Sequence, residues 1–312
     1  MRAATFMVAC LQSEIRDQNM FKGSITALVT PFKNGAVDED NVIALCERQI
    51  AAGSHGVVPC GTTGESATLT FEEHMRVIEL VVRTAAGRVP VIAGTGSNST
   101  AVAIQNQTRA HELGADAGLV VAPYYNKPNA EGLFRHFEAI NDAVAMPILI
   151  YNVPGRTVVD IGVSTVARIS GLSHVVGIKD ASADMSRVSD HRRLIGAGFT
   201  QLSGDDPSAL GFNAAGGVGA ISVTSNVAPE LCAQFQDATL AGDWELARQL
   251  NDKLTPLHHA LFTSSSPGPT KYAMSLLGVT GTEMRLPLTE PDEASKLAVR
   301  KAMVIAGLLD RS

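Results

Sequence analysis

The sequence predicts an α/β fold, a (β/α)8 TIM barrel with a C-terminal helical extension, and three observations carry that prediction. Short apolar, β-branched runs recur roughly every 20–35 residues with amphipathic helical patterns between them, as βα units around a parallel sheet require. Eight such runs fall within about 225 residues, close to the ~250 typical of a closed barrel. Beyond residue 225 the pattern turns helical only.

The eight candidate strands span 24–31, 56–61, 90–96, 118–124, 147–153, 175–182, 200–206 and 219–225. Several are almost continuously apolar (GLVVAP, PILIYNV, VVGIKD), as expected of strands covered on both faces. Asp38, Glu39 and Asp40 open a helix that turns Val42, Leu45 and Ile50 toward the core, and 71–84 and 99–113 supply the next two. The rival is a doubly wound open sheet, but neither GxGxxG nor GxxxxGK[ST] follows the first strand, and GTGSNS at 94–99 lacks the spacing of either. Four helices follow, at 228–240, 244–262, 268–277 and 291–309, the first expected to complete the barrel as its eighth helix. The division expected is a catalytic barrel over 20–243 and a helical extension over 244–312, the latter a candidate packing or oligomer element.

Composition narrows the class. Apolar residues make up 45% and charged residues 18%, which suits a sizeable core. A net charge of −6 without a basic block leaves nucleic acid no electrostatic footprint. No apolar run reaches the roughly 18 residues of a membrane span. Cys10, Cys46, Cys60 and Cys232 are scattered and form no CxxC pair, which argues against a disulfide framework or structural zinc and suits a reducing cytoplasm. Residues 1–19 read as a disordered or non-native extension. Cys10 follows Val8-Ala9 in a loosely lipobox-like way, but the charged end is minimal and the apolar stretch short for a signal segment.

In parallel barrels chemistry collects at the carboxyl ends of the strands. Strand six carries Lys179, one of eight lysines, inside VVGIKDAS. An ammonium is costly to hold in an apolar run, which favours a neutral, nucleophilic amine. Taken alone, the residue reads equally as a rim lysine paired with Asp180. Strand five ends YNVPGRT, offering Tyr151 for proton transfer and Arg156 to clamp a carboxylate, or else a core tyrosine and a surface arginine. Strand two ends GTTGES, whose glycines, hydroxyls and N–H groups can cradle a carboxylate or form a tight turn. Three of the four tyrosines, Tyr124, Tyr125 and Tyr151, lie at the ends of strands four and five, which favours function over packing. His258-His259 reads as a surface or interface pair.

GTTGES (61–66), PYYNKP (123–128), YNVPGRT (151–157), GIKDAS (177–182), SGDD (203–206) and GAISVTSN (219–226) stand in order from strand two to strand eight. Together they resemble the dihydrodipicolinate synthase (4-hydroxy-tetrahydrodipicolinate synthase) family, within the N-acetylneuraminate lyase superfamily of class I aldolases, from about residue 20 to the C-terminus. The resemblance implies a cytoplasmic lyase of lysine and diaminopimelate biosynthesis. Pyruvate would condense with Lys179, and the enamine would attack L-aspartate 4-semialdehyde. Tyr151 would move the protons, with Thr62 and a partner subunit's copy of Tyr125 completing a relay to solvent. Thr63 would hold the pyruvate carboxylate, Ile221 and Gly204 would line the pocket, and Arg156 would gather the semialdehyde carboxylate. A homotetramer of tight dimers, with no cofactor or metal, is also implied.

In lysine-inhibited members of the family the regulatory pocket matches Ser66, Ala67, His74, Asn98 and Tyr124. This chain departs from the pattern at Phe71, where such enzymes often carry a basic or polar residue, and at Val102, where they carry a glutamate. Burying lysine's ammonium without that carboxylate costs several kcal/mol, so weak or absent inhibition is expected. The nearest rival is another aldolase of the superfamily, cleaving sialic acid or a 2-keto-3-deoxy sugar acid, in which Arg156 is not expected. A non-catalytic keto-acid-binding barrel would capture pyruvate without consuming the semialdehyde.

Overall fold

Every candidate strand appears in one parallel sheet. The computed structural model describes residues 20–310, so the reading of residues 1–19, with Cys10, lies outside the described residues. The strands are β1 (Gly23–Ala27), β4 (Gly56–Val58), β5 (Ile92–Gly94), β6 (Ala117–Val121), β7 (Ile148–Asn152), β8 (Val175–Asp180), β9 (Thr200–Ser203) and β10 (Gly219–Ser222). They bond in the order β4-β1-β10-β9-β8-β7-β6-β5. A parallel bridge from Val57 to Val91, with the Val57 N–H donating to the Pro90 carbonyl at 3.1 Å, closes the ring between β4 and β5. Each strand is shorter than its sequence range, because the carboxyl-terminal residues of those ranges leave the sheet and build the rim.

One short element escaped the sequence reading. β2 (Phe32–Lys33) and β3 (Ala36–Val37) form an antiparallel hairpin around Asn34 and Gly35, at φ 55° and 81°. An Asn-Gly pair between strands is the local signal for such a turn, and here it follows too closely on β1 to stand out.

The apolar runs divide by parity. Ile25, Ala27, Val58, Ile92, Leu119, Leu149, Leu202 and Ile221 fill the lumen together with Phe21. Ile148, Ile150, Val120 and Ile178 face outward and pack with Phe137, Ile140, Val166 and Ile169. Those outer partners lie on α4 (Ala130–Ala143) and α6 (Val163–Ile169). Burial on both faces explains runs such as PILIYNV. Helix starts follow capping chemistry: Asp38 caps α1 (Glu39–Ala51), and Thr70 with Glu73 forms a capping box on α2 (Phe71–Ala85).

After β10, α9 (Pro229–Ala241) lies against β1 and β10 as the expected eighth helix. α10 (Trp244–Ala260), α11 (Gly268–Leu276) and α12 (Glu293–Ile305) pack beyond it around Leu254, Leu257, Leu261, Met274, Val299 and Met303. α12 begins at Glu293, because Asp292 takes extended backbone and caps the Ser295 N–H at 2.8 Å.

The outer layer also holds an acid-sensitive contact. His136 on α4 is buried, its Nδ1 lies 2.9 Å from the Thr100 hydroxyl of α3 (Thr100–Glu112), and burial pushes the imidazole down to about 4 from 6.5. Below pH 6.5 the unfolded chain binds a proton there that the folded chain refuses. Stability present above pH 6.5 is therefore lost as pH falls toward 4, by on the order of 3 kcal/mol. Urea midpoints at pH 7 and pH 4.5 are expected to differ less for His136→Gln than for the parent chain, and an equal acid loss in both would contradict the assignment.

Candidate active site

β8 decides which side chain enters the lumen. Alternate residues of a strand face opposite sides, so Gly177 and Lys179 turn inward while Ile178 and Asp180 turn out. Lys179 is 5% exposed and stands in register with Tyr151 of β7, its Nζ 4.2 Å from the centre of the Tyr151 ring. Tyr151 is 6% exposed. Among the described residues no carboxylate lies within ion-pair distance of Lys179, and no side chain hydrogen-bonds its amine.

The pairing with Asp180 that the bare sequence allowed is absent. Asp180 lies behind the strand, 3.0 Å from Arg187 Nε on α7 (Ser186–Ile195). Arg187 also holds Asp160 at 2.8 and 3.0 Å, and Asn152 joins the same network through Asp160 at 2.8 Å and the Ile161 N–H at 3.0 Å. The outward residues of both strands are thus fixed, which holds Tyr151 and Lys179 opposite one another.

Burial alone does not single Lys179 out. Lys271 on α11 is more deeply buried, at 0% exposure, and is paired with Glu65 at 2.5 Å. What distinguishes Lys179 is that it is buried and unpaired.

Gly204 follows β9, its N–H donating to the Asp180 carbonyl at 2.7 Å. A Cβ there would stand 2.8 Å from the Ala181 Cβ, 3.0 Å from Lys179 Cε and 3.1 Å from its Cγ. The position therefore lies against the lysine stem. Ile221 is buried in the lumen cluster that includes Tyr151. Just beyond it, Asp206 Oδ2 accepts the N–H groups of Val223 at 2.9 Å and Thr224 at 3.1 Å. His258 is buried rather than superficial, with Nδ1 2.7 Å from the Thr224 hydroxyl. A strand-end partner on β10's loop, far away in the chain, overrode the surface pattern. His259 is exposed.

The loop after β4 carries Thr62 and Thr63. Thr63 is 5% exposed and hydrogen-bonds to no described residue, by hydroxyl or by N–H. Its neighbours are pinned: the Gly64 carbonyl accepts from the Thr30 hydroxyl at 2.7 Å, and Glu65 is held by Lys271. Thr62 is half-buried and lines a cleft of about 530 Å3 that also includes Arg156. Arg156 sits on the single turn α5 (Pro154–Thr157), exposed and without an ion-pair partner among the described residues.

Ser66, Ala67, His74 and Tyr124 line the same cleft, together with Phe71 and Val102. Asn98 is not among its lining residues; its carbonyl accepts from Asn126 Nδ2 at 2.8 Å. His74 Nε2 lies 2.7 Å from the Gly94 carbonyl, so it carries the proton and donates. Burial pushes this imidazole below its usual range, partly offset by that bond. Tyr125 does not reach Lys179's chamber within its own chain: it is 90% exposed, on left-handed backbone at φ 71°. Among the described residues no three His, Cys, Asp or Glu side chains are grouped to hold a metal ion.

This arrangement has close counterparts. The Dihydrodipicolinate synthetase family profile matches residues 20–306. The 4-hydroxy-tetrahydrodipicolinate synthase of Hyphomonas neptunium is 62% identical over 291 residues, 93% of this chain and 99% of that protein. The crystal structure of dihydrodipicolinate synthase from Aquifex aeolicus superposes with a TM-score of 0.90 at 43% identity, covering 92% of this chain and 99% of that one. The chloride-inhibited dihydrodipicolinate synthase from Acinetobacter baumannii, solved in complex with pyruvate, gives the same TM-score of 0.90 at 43% identity, with 92% and 99% covered. With the fold, the order of its motifs and these relatives in agreement, the chain belongs to the dihydrodipicolinate synthetase family.

Proposed function

We propose that the chain is a 4-hydroxy-tetrahydrodipicolinate synthase, condensing pyruvate with L-aspartate 4-semialdehyde on the route to diaminopimelate and lysine in the cytoplasm. The observation that carries this reading is a buried, unpaired lysine amine lying against a tyrosine ring at the carboxyl end of a barrel strand.

The Lys179 amine adds to the keto carbon of pyruvate, and loss of water leaves an iminium. The iminium draws electrons from the adjacent methyl, which gives up a proton and becomes the nucleophilic carbon of an enamine. That carbon attacks the aldehyde. The semialdehyde's own amine then displaces Lys179 and closes the ring, returning the enzyme amine. Each stage moves a proton, and Tyr151 is the hydroxyl in register with the lysine. Thr62 and a partner subunit's Tyr125 extend the relay; the exposure of Tyr125 supports a role across an interface, within a homotetramer of tight dimers. Thr63 binds the pyruvate carboxylate with its free hydroxyl and N–H, Ile221 and Gly204 shape the pocket, and Arg156 gathers the semialdehyde carboxylate.

Borohydride reduction with pyruvate should add one reduced pyruvyl group at Lys179, and a coupled assay should show turnover that Lys179→Ala abolishes. An adduct elsewhere, or none, would sink the reading; an adduct without consumption of the semialdehyde would mark a binder instead. Gly204→Ala should leave the fold intact by circular dichroism yet lower kcat/KM by about 10²-fold, because a displaced nucleophile loses its attack geometry. Unchanged kinetics would show that the lysine stem has room there. The exposed Phe71 and Val102 offer no carboxylate to a lysine ammonium in the cleft. Steady-state rates should accordingly be nearly insensitive to lysine, and half-inhibition at micromolar lysine would contradict this.

A further inference from the structure

Glu65 is an unusual residue for its place. It adopts left-handed backbone at φ 54°, where a side chain other than Gly or Asn is uncommon, and its side chain is fully buried. A turn that needed only that conformation would be served by glycine. The carboxylate supplies the reason: Oε1 takes the Lys271 ammonium at 2.5 Å, and Oε2 accepts the Arg285 N–H at 3.1 Å. Lys271 donates again to the Glu283 carbonyl at 2.8 Å and lies 4.4 Å from the Phe32 ring centre. The Glu283 carboxylate in turn takes the N–H groups of Asn34 and Gly35 at 3.0 and 2.6 Å. One segment, 271–285, therefore grips both the hairpin and the loop after β4.

Beside this anchor stands Thr63, buried and bonded to nothing among the described residues. Gly64 is immobilised from one side by Thr30 and Glu65 from the other by Lys271. A buried ion pair is weak evidence of a stability device, since apolar replacement of both partners is often neutral or better. A second use of such a pair is to fix geometry, and the backbone beside this one is that of the threonine loop.

We propose that Glu65 and Lys271 are positioning residues, whose ion pair anchors the barrel's threonine loop to α11 and thereby sets Thr63 for the carboxylate of the keto acid. The proposal rests on the reading that Thr63 binds pyruvate. It assigns the C-terminal extension a part in substrate affinity, through a contact 206 residues apart in the chain.

The test compares the parent chain with Lys271→Met, Glu65→Gln and the double variant, assayed well below their melting midpoints. The single Lys271→Met strands a buried carboxylate and is expected to melt early. The double variant removes both charges and should melt near the parent. Its KM for pyruvate should nevertheless rise about tenfold or more, the worth of one lost charge-assisted hydrogen bond. KM for the semialdehyde should change little, and borohydride trapping at Lys179 should persist at saturating pyruvate. A folded double variant with the parent's KM for pyruvate would overturn the proposal. Should the double variant fail to fold, Lys271→Arg serves in its place, keeping the charge while displacing the carboxylate. A raised pyruvate KM in that variant supports the anchor, and an unchanged one overturns it. Failure of the parent chain itself to trap pyruvate at Lys179 would overturn the function reading, and this proposal with it.

Discussion

The arrangement depends on one parity: consecutive residues of a strand point to opposite sides, so Lys179 and Asp180 cannot meet. A slip of one residue in the register of β8 would turn the lysine out among the helices and the aspartate into the lumen. Asp180 is adjacent in sequence to the buried Lys179 amine. Opposite charges about 4 Å apart attract by roughly 4 kcal/mol at an effective dielectric of 20, enough to draw such a pair together. Strand geometry removes that partner, and Arg187 then occupies it from behind. The lysine is left with an aromatic face, a glycine beside its stem and, among the described residues, no counter-ion.

Rim loops obey a different constraint, because they lie beyond the ladder and must be fixed by side chains. Asn152 ties the end of β7 to Asp160 and Ile161. Asp206 gathers two N–H groups just past β10, next to Ile221. Thr30 fastens Gly64. In each case a buried polar group is satisfied by backbone of another loop, whereas Thr63 has no hydrogen bond among the described residues.

What could be read from the sequence follows from how local its causes are. The parallel sheet was legible because strands buried on both faces produce unbroken apolar runs, and PILIYNV and VVGIKD could hardly be anything else. That Lys179 and Tyr151 share the lumen was legible because both sit near the carboxyl ends of such runs. The Glu65–Lys271 contact was not, since neither residue breaks its own local pattern and the two lie on opposite sides of the barrel sequence. His258 misled for the same reason: on α10 it reads as one of two polar neighbours, and only Thr224, 34 residues earlier, explains why it is inside. The position of Tyr125 was the subtler case. Its clustering with Tyr151 in sequence suggested a shared site, yet within the chain its side chain is exposed to solvent.

Lys179 and Lys271 make the physical principle plain. Both are buried lysines, and burial alone does not tell one role from another. Lys271 meets a carboxylate and a carbonyl and has its proton held in place, although burial still pushes its ammonium below the usual range. Lys179 meets a ring face. The difference lies in what surrounds each amine: Tyr151 of β7 and the Gly204 turn for Lys179, the loop after β4 and Glu283 for Lys271. A barrel strand can carry a lysine into the lumen by alternation alone. Keeping that lysine without counter-charge while a second lysine is tightly paired goes with acidic residues assigned one by one: Asp180 to Arg187, Glu65 to Lys271, Glu73 to Arg285. The site is thus specified as much by where its carboxylates have been committed as by the residues that face the substrate.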